Sequence, residues 1–332
     1  MVNWKNVIGW GMAALVVLGV VGTNMYNQQK SDGSKRNVYA IMPSTGAIAQ
    51  FGKDEQKALQ QSYALLKDPK FVLKFYDSEY NPSRVVSIVD QILLNDENPL
   101  IINFTSNMSY ATLPALKGKG FVMAGETIEM DDLKKFNNYQ RFSVQSREGV
   151  NHLANHMASK YKNIAILNSN DMYGVTGVKY FTDAAKGKDI IINRLDFENS
   201  DLSTRDIVQK LLLKYPETEA IYVSASASVA FMNIFRELKR FDFKGAVYSL
   251  PSFAQGFVID NLGKDAEGII FLTLEPHLEN PRTPEAQAFR KFALDNGLYP
   301  NFAPIEGYDI LNLVNNMINE GVSFTQKTFE DM

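Results

Sequence analysis

The chain has 332 residues, 45% of them hydrophobic and 21% charged, with a net charge of −3 and no cysteine. The length exceeds what one compact core usually holds and predicts two domains. The charge balance offers no basic surplus to nucleic acid or anionic lipid. The lack of thiols removes disulfides, thiol catalysis and cysteine metal sites, and suits an oxidising compartment.

The first 36 residues differ from the rest. The stretch "NVIGWGMAALVVLGVVG" (Asn6 to Gly22) carries no charge and follows a lone Lys5. At ~1.5 Å per residue it is short for a hydrocarbon core of ~30 Å, so it lies between a signal-peptide core and a short membrane anchor. It has no polar face, which argues against a buried core helix. "NQQKSDGSKR" (Asn27 to Arg36) then reads as a solvated linker. Residues 1–36 are therefore expected to be a signal peptide or N-terminal anchor plus linker. The protein is expected outside the cytoplasm, held at the membrane if that segment is retained.

From Val38 onward, short apolar runs alternate with amphipathic segments of helix length. Strands are expected at Val38–Met42, Val72–Tyr76, Pro99–Ile102 and Phe121–Ala124, then at Ile164–Asn168, Ile190–Leu195, Ala220–Val223, Ala246–Leu250 and Gly268–Leu272. Several are apolar throughout, as parallel strands covered on both faces are. Helices are expected between them at Phe51–Leu66, Ser83–Leu94, Ala111–Lys117, Gly149–Tyr161, Gly174–Ala185, Ser203–Leu213, Val229–Arg240 and Glu285–Asn296. The alternation predicts βαβ units in two series, Val38 to Ala124 and Ile164 to Leu272. "NYQRFSVQSREG" (Asn138 to Gly149) reads as an extended joint between them.

In open α/β sheets, ligands sit beyond the carboxyl ends of the strands. The loops there are rich in Ser, Thr, Asn and Gly and contain no His. The first, "PSTGAIAQFG" (Pro43 to Gly52), offers Ser44 and Thr45 as hydroxyl donors, Gly46 and Gly52 as flexible points, and Phe51 as an apolar wall. It reads as one side of a ligand pocket.

Several other features have plainer readings. His152 and His156 stand i, i+4, but without the Glu of a metalloprotease motif they read as a half-buried helix pair. His277 reads as ordinary. Asp77 and Glu79 read as a strand-end turn rather than a metal site. Gly174 to Gly177 reads as a helix start in the cleft rather than a phosphate loop. No nucleophile–base pair or metal cluster stands out, so neither an enzyme nor a cofactor is expected.

Six fragments in order resemble the type I periplasmic solute-binding proteins of ABC transporters, in particular the group that binds leucine, isoleucine and valine. They are the Pro43–Gly52 loop, "YDSEYNPSRVVSIVDQIL", "SYATLPALKGKGFVM", "AGETIE", "YQRFSVQSREGVNHLANHM" and "NIAILNSNDMYGVTGVKYF". The resemblance covers roughly Val38 to Asn319. It implies two doubly wound Rossmann-like lobes joined by hinge crossovers, with residues 37–142 and 275–332 in lobe 1 and 143–274 in lobe 2. It implies a small-molecule solute in the cleft, an ABC transporter permease as partner, and no nucleic acid. A membrane-anchored sensor of the same fold, not coupled to transport, is the alternative.

The resemblance also implies site residues. Ser109, with Ala111 beside it, and Thr127 stand where hydroxyls hold a ligand carboxylate. Phe51 and Tyr173 stand where aromatics cover the ligand. Ser252 occupies the place of the acid that pairs a ligand ammonium, and "SASAS" with Ser226 replaces a second-lobe aromatic. A buried ammonium without a counter-charge is costly, which argues against a plain α-amino acid unless Glu126 or Asp171 takes the acid's role. The expected solute is amino acid-like, an organic acid or an amide. The chain also stops soon after its "GYD" helix, as in a form lacking a third crossover.

Overall fold

The structure is a computed structural model that describes residues 35–143, 147–201, 203–273, 279–298, 300 and 302–331. The leader expected over residues 1–36 and His277 lie essentially outside these residues. No helix among them is long and apolar enough to cross a membrane.

Two five-stranded sheets organise the chain, and every strand pairing in them is parallel. The first holds β1 (Arg36–Met42), β2 (Phe71–Asp77), β3 (Leu100–Phe104), β4 (Phe121–Gly125) and β5 (Tyr139–Phe142), in the order β2-β1-β3-β4-β5. The second holds β6 (Asn163–Ser169), β7 (Ile191–Phe197), β8 (Ala220–Ser224), β9 (Ala246–Ser249) and β10 (Ile269–Phe271), in the order β7-β6-β8-β9-β10. The second sheet thus repeats the topology of the first. Strands β3, β4 and β8 are buried at every residue, whereas the edge strands β5 and β10 are mostly half-exposed. The apolar runs are the strands that helices cover on both faces.

The helices of the first lobe are α1 (Ala49–Leu65), α2 (Pro82–Leu93) and α3 (Ser106–Ala115). Those of the second are α4 (Arg147–Ala158), α5 (Met172–Ala185), α6 (Arg205–Lys214), α7 (Val229–Arg240) and α8 (Gly256–Leu262). The chain then returns to the first lobe for α9 (Pro284–Asp295), α10 (Phe302–Asn319) and α11 (Gln326–Glu330). Ile310, Leu311 and Val314 of α10 join β1 and β3 in the lobe 1 core, and Ala293 and Leu298 pack on Ala58 of α1. A second core fills lobe 2 around Phe231, Phe235 and Phe253, whose rings meet edge to face.

Local chemistry explains the helix starts. Asn81 accepts hydrogen bonds from the amides of Ser83 and Arg84, with Pro82 opening α2. Asp171 accepts from the Gly174 amide at 2.8 Å and starts α5. Gly46 sits at φ +88°, a conformation only glycine adopts at little cost. Gly52 has a different role from the flexible point expected of it. It is helical, and a Cβ there would lie 2.2 Å from the Pro43 carbonyl oxygen, so glycine lets α1 lie against the Pro43 loop.

Candidate functional site

The carboxyl ends of both sheets face each other across a cleft partly open to solvent, with a cavity of about 30 Å³ between them. Lobe 1 lines it with Ile48 and Phe51 at the start of α1, Thr105 and Ser106 after β3, and Glu126 after β4. Lobe 2 lines it with Tyr173 after β6, Ser226 and Ala227 after β8, and Ser252 and Gln255 after β9. This is the position a doubly wound sheet assigns to a ligand. The arrangement follows from the shared topology, which brings three strand-end loops of each lobe to one place.

The lobe 1 side is held in strained backbone. Thr105 has φ +90° and Glu126 has φ +43°. A side-chain-bearing residue at positive φ costs on the order of 1–3 kcal/mol and persists only where its surroundings impose it. Thr105 caps α3, its Oγ1 accepting from the Met108 amide at 3.4 Å. Glu126 has its amide engaged by the Glu306 carboxylate of α10 and accepts a hydrogen bond from Gln255 Nε2 of lobe 2 at 3.2 Å.

Glu126, Glu306 and Glu55 form a buried acidic group beside the cavity. Glu55 is 0% exposed, and neither of its carboxylate oxygens has a hydrogen-bond partner. Burial, reinforced by Glu126, Glu306 and Asp54, holds its carboxyl well above the usual carboxylate range. Burial and then Glu126 do the same to Glu306, although the Glu126 amide, Ser143 and Arg141 act in the opposite sense.

On the lobe 2 side, Tyr173 (5% exposed) and Ser252 (6% exposed) face each other. Neither hydroxyl has a hydrogen-bond partner of good geometry. Buried polar groups in this condition are uncommon and call for an explanation. Burial pushes the Tyr173 phenol well above its ordinary value.

Direct bonds tie the lobes together at the rim. Tyr80 of lobe 1 donates to Asp171 Oδ2 at 2.8 Å and lies 3.1 Å from Ser226 Oγ. The Met172 amide donates to Asn107 Oδ1 at 2.9 Å, and Tyr180 donates to the Glu129 carbonyl at 2.6 Å. Asp171 also accepts from Ser226 and Ser169 and from Asn199. It is therefore the anchor of the closed cleft rather than a wall of the cavity.

Of the residues expected at the site, the structure brings Phe51, Tyr173, Ser226 and Ser252 to the cavity. It places the other five elsewhere. Ser44 donates to Gln56 Oε1 at 3.0 Å, and Thr45 binds Asp77 through both its amide and its hydroxyl. These two secure the first loop to its own lobe. Ser109 donates to Asn103 Oδ1 at 2.8 Å and pairs with Thr127 Oγ1 at 3.0 Å inside lobe 1. Ala111 packs against the core.

The displacement of Ser109 and Ala111 has a simple cause. Helix α3 begins at Ser106, five residues before the expected Ala111, so Ser109 is a turn inside it and Thr105 and Ser106 take the mouth. Thr127 points its hydroxyl at the Gly125 carbonyl, 2.9 Å away, leaving Glu126 at the cavity. Thr105, Ser106, Gln255 and Glu306 are not among the expected site residues, and Glu126 is expected only as a stand-in for the missing acid. Glu306 had a readable signal, an acid in register with Ile310, Val314 and Met317 on the buried stripe of α10. Of the residues given plainer readings, His156 packs its ring against Tyr248 and Asp77 holds the Thr45 turn.

Comparison with known proteins places this geometry in context. A family profile described as periplasmic binding protein matches residues 38–331. Among solved structures, the leucine-binding protein LivK of Thermotoga maritima superposes with a TM-score of 0.75 at 17% identity, over 88% of this chain and 85% of that one. An ABC-transporter solute-binding protein of Rhodopseudomonas palustris, solved with 3,4-dihydroxybenzoic acid, gives 0.73 at 17% identity, over 89% and 83%. A fatty acid ABC transporter substrate-binding protein of Thermomonospora curvata gives 0.70 at 16% identity, over 83% and 73%. At these identities the likeness speaks for the fold. Comparison with curated protein sequences gives no significant match.

Proposed function

The chain belongs to the periplasmic binding protein family, and from that premise we propose that it is the extracytoplasmic substrate-binding receptor of an ABC-type importer. It holds a small organic solute between its lobes and closes on it by hinge motion. One observation carries the reading: five residues from each lobe line one cavity at the carboxyl ends of two sheets of identical topology. A site divided in this way is complete only when the lobes are together, so binding and closure are the same event.

The roles follow from the side chains. Phe51 and Tyr173 supply apolar faces of large area with few rotors to freeze. Thr105, Ser106, Ser226, Ser252 and Gln255 supply neutral polar contacts that fix orientation without a buried unpaired charge. Tyr80 and Asp171 latch the closed form. The solved relatives include a leucine-binding protein, a solute-binding protein in complex with 3,4-dihydroxybenzoic acid and a fatty acid ABC transporter substrate-binding protein. That range supports a conserved mechanism with an interchangeable pocket, in which this chain's own lining decides its solute.

The test is a thermal-shift screen of the full chain against amino acids, organic acids, amides and amines. A ligand at ~100 times its Kd raises stability by about 2.7 kcal/mol, a readily measured shift. A shift with one chemical class that Tyr173→Ala abolishes supports the receptor reading. A folded chain that responds to none of them overturns it. Solute-dependent stimulation of ATP hydrolysis by a reconstituted importer then separates a transport receptor from an anchored sensor.

A further inference from the structure

The lining of the cleft is unusual in its charge. Among the described residues, its one ionisable group of either common charge is Glu126, and no Lys, Arg or His lines it. Arg141, a basic residue whose charge reaches this acidic group, directs Nη1 to the carbonyls of Thr127 and Ser143 and does not line the cavity.

An amide at a strand end is the natural donor for a ligand carboxylate. Here the amide of Glu126 is already engaged by a carboxylate of the protein, that of Glu306. An incoming carboxylate would have to displace Glu306 and then lie beside Glu126, where no cation stands among the described lining residues. Burying like charges together without a counter-ion is among the most expensive arrangements in a protein interior.

A cation meets the opposite situation. Glu126 lines the cavity with its Oε1 accepting from Gln255 and its amide bound to the Glu306 carboxylate. Across the cleft stand the hydroxyls of Tyr173 and Ser252, each more than nine-tenths buried, close to one another and without a hydrogen bond of good geometry. An ammonium carries three donors and no acceptor, and these three oxygens are the acceptors it needs. Phe51 and Tyr173 add aromatic faces, which also attract cations.

From this juxtaposition we propose that the cleft recognises a small organic cation, an amine without a carboxylate, with Glu126 as its counter-ion and Glu306 filling the position a ligand carboxylate would take. The proposal rests on the receptor reading above and narrows its solute class.

The experiment is calorimetric titration of the full chain with probes matched in shape and different in charge. One series is 2-phenylethylamine, 2-phenylethanol and 3-phenylpropanoate. A second is 3-methylbutylamine, leucine and 4-methylpentanoate. Putrescine and agmatine extend the amines. The expected result is that one or more amines bind and their matched carboxylates do not. Glu126→Gln, which keeps the shape and the acceptor for Gln255, then weakens amine binding at least tenfold.

Carboxylates binding in preference to amines overturn the proposal and leave the receptor reading intact. Amine binding that Glu126→Gln leaves unchanged overturns it as well. Thermal stability that no probe and no compound of the wider screen raises, in a folded chain, overturns both. The charge series is read on the unaltered protein, so it decides the matter even if the variant fails to fold.

Discussion

Replacing Tyr80 by Phe removes one hydroxyl at the rim of the cleft and leaves both lobes their own cores. That hydroxyl donates to Asp171 Oδ2 at 2.8 Å and meets Ser226 Oγ at 3.1 Å, both across the lobe boundary. Hydrogen bonds to a charged group contribute about 1.5–3 kcal/mol. Asp171 keeps Ser226, Ser169, Asn199 and the Gly174 amide as donors, so the low end applies. A loss of about 1.5 kcal/mol from the closed form alone lowers the closed-to-open ratio roughly tenfold. If only the closed form binds solute tightly and is the minority form, Kd rises by about the same factor. Where the closed form is the majority, small-angle scattering reads the first effect as a larger mean radius of gyration in Tyr80→Phe; where it is the minority, titration with a solute found in the screen reads the second. The midpoint of thermal unfolding moves little, because the intra-lobe packing is untouched. An unchanged radius together with an unchanged Kd would refute the latch.

Three further substitutions probe the account from other sides. Ser109→Ala leaves Asn103 and Thr127 short of a buried partner and should destabilise the fold by about 1–3 kcal/mol while leaving solute affinity unchanged; a selective loss of affinity would return Ser109 to the site. Gly52→Ala drives a Cβ against the Pro43 carbonyl and should cost about 1–3 kcal/mol in a denaturant titration, and an unaltered midpoint would contradict the close packing. Glu55 has its folded pKa raised above the ordinary 4.5 by burial and by Glu126, Glu306 and Asp54. The folded state therefore keeps a proton that the unfolded state gives up. Stability from this group is full below about 4.5 and is lost as pH rises toward the folded value, at up to ~1.4 kcal/mol per pH unit. In Glu55→Gln that slope is absent, so its melting temperature should exceed the wild type's by a margin that widens as pH rises from about 5 toward the folded pKa. A margin constant in pH would show that Glu55 is not held protonated.

The architecture was largely legible because buried parallel strands announce themselves. Val38–Met42 and Phe121–Ala124 are apolar at every residue, and the structure extends them by only a few residues. β5 reads as a mere extended joint because "YQRF" is polar and half-buried, as befits an edge strand. Helices α8 and α11 are too short to show a helical period. The site was legible to the level of the loop and not always of the residue. Phe51, Tyr173, Ser226 and Ser252 reach the cavity since each directly follows a strand or opens the next helix. Ser109 reads as a loop residue because "FTSNMS" looks like loop, whereas the Thr105 cap shows that the helix has already begun. Glu55 and Glu306 illustrate what a pattern alone undervalues. Each is an acid on the buried stripe of a helix, beside Phe51 and Leu59 in one case and Ile310 and Val314 in the other. Such a placement opposes the hydrophobic effect, and residues that do so mark function or strain.

The central claim is that two lobes close on a solute, and a distance across the cleft tests it most directly. The chain has no cysteine, so thiols introduced at exposed Leu94 in lobe 1 (84% exposed) and Leu213 in lobe 2 (74% exposed) can be labelled alone as a donor–acceptor pair. Single-molecule energy transfer on this labelled chain should show two populations without solute and a shift to one of them on adding the compound found in the screen. The midpoint of that shift should fall at the calorimetric Kd. A single transfer efficiency that saturating solute does not move would contradict closure on a ligand.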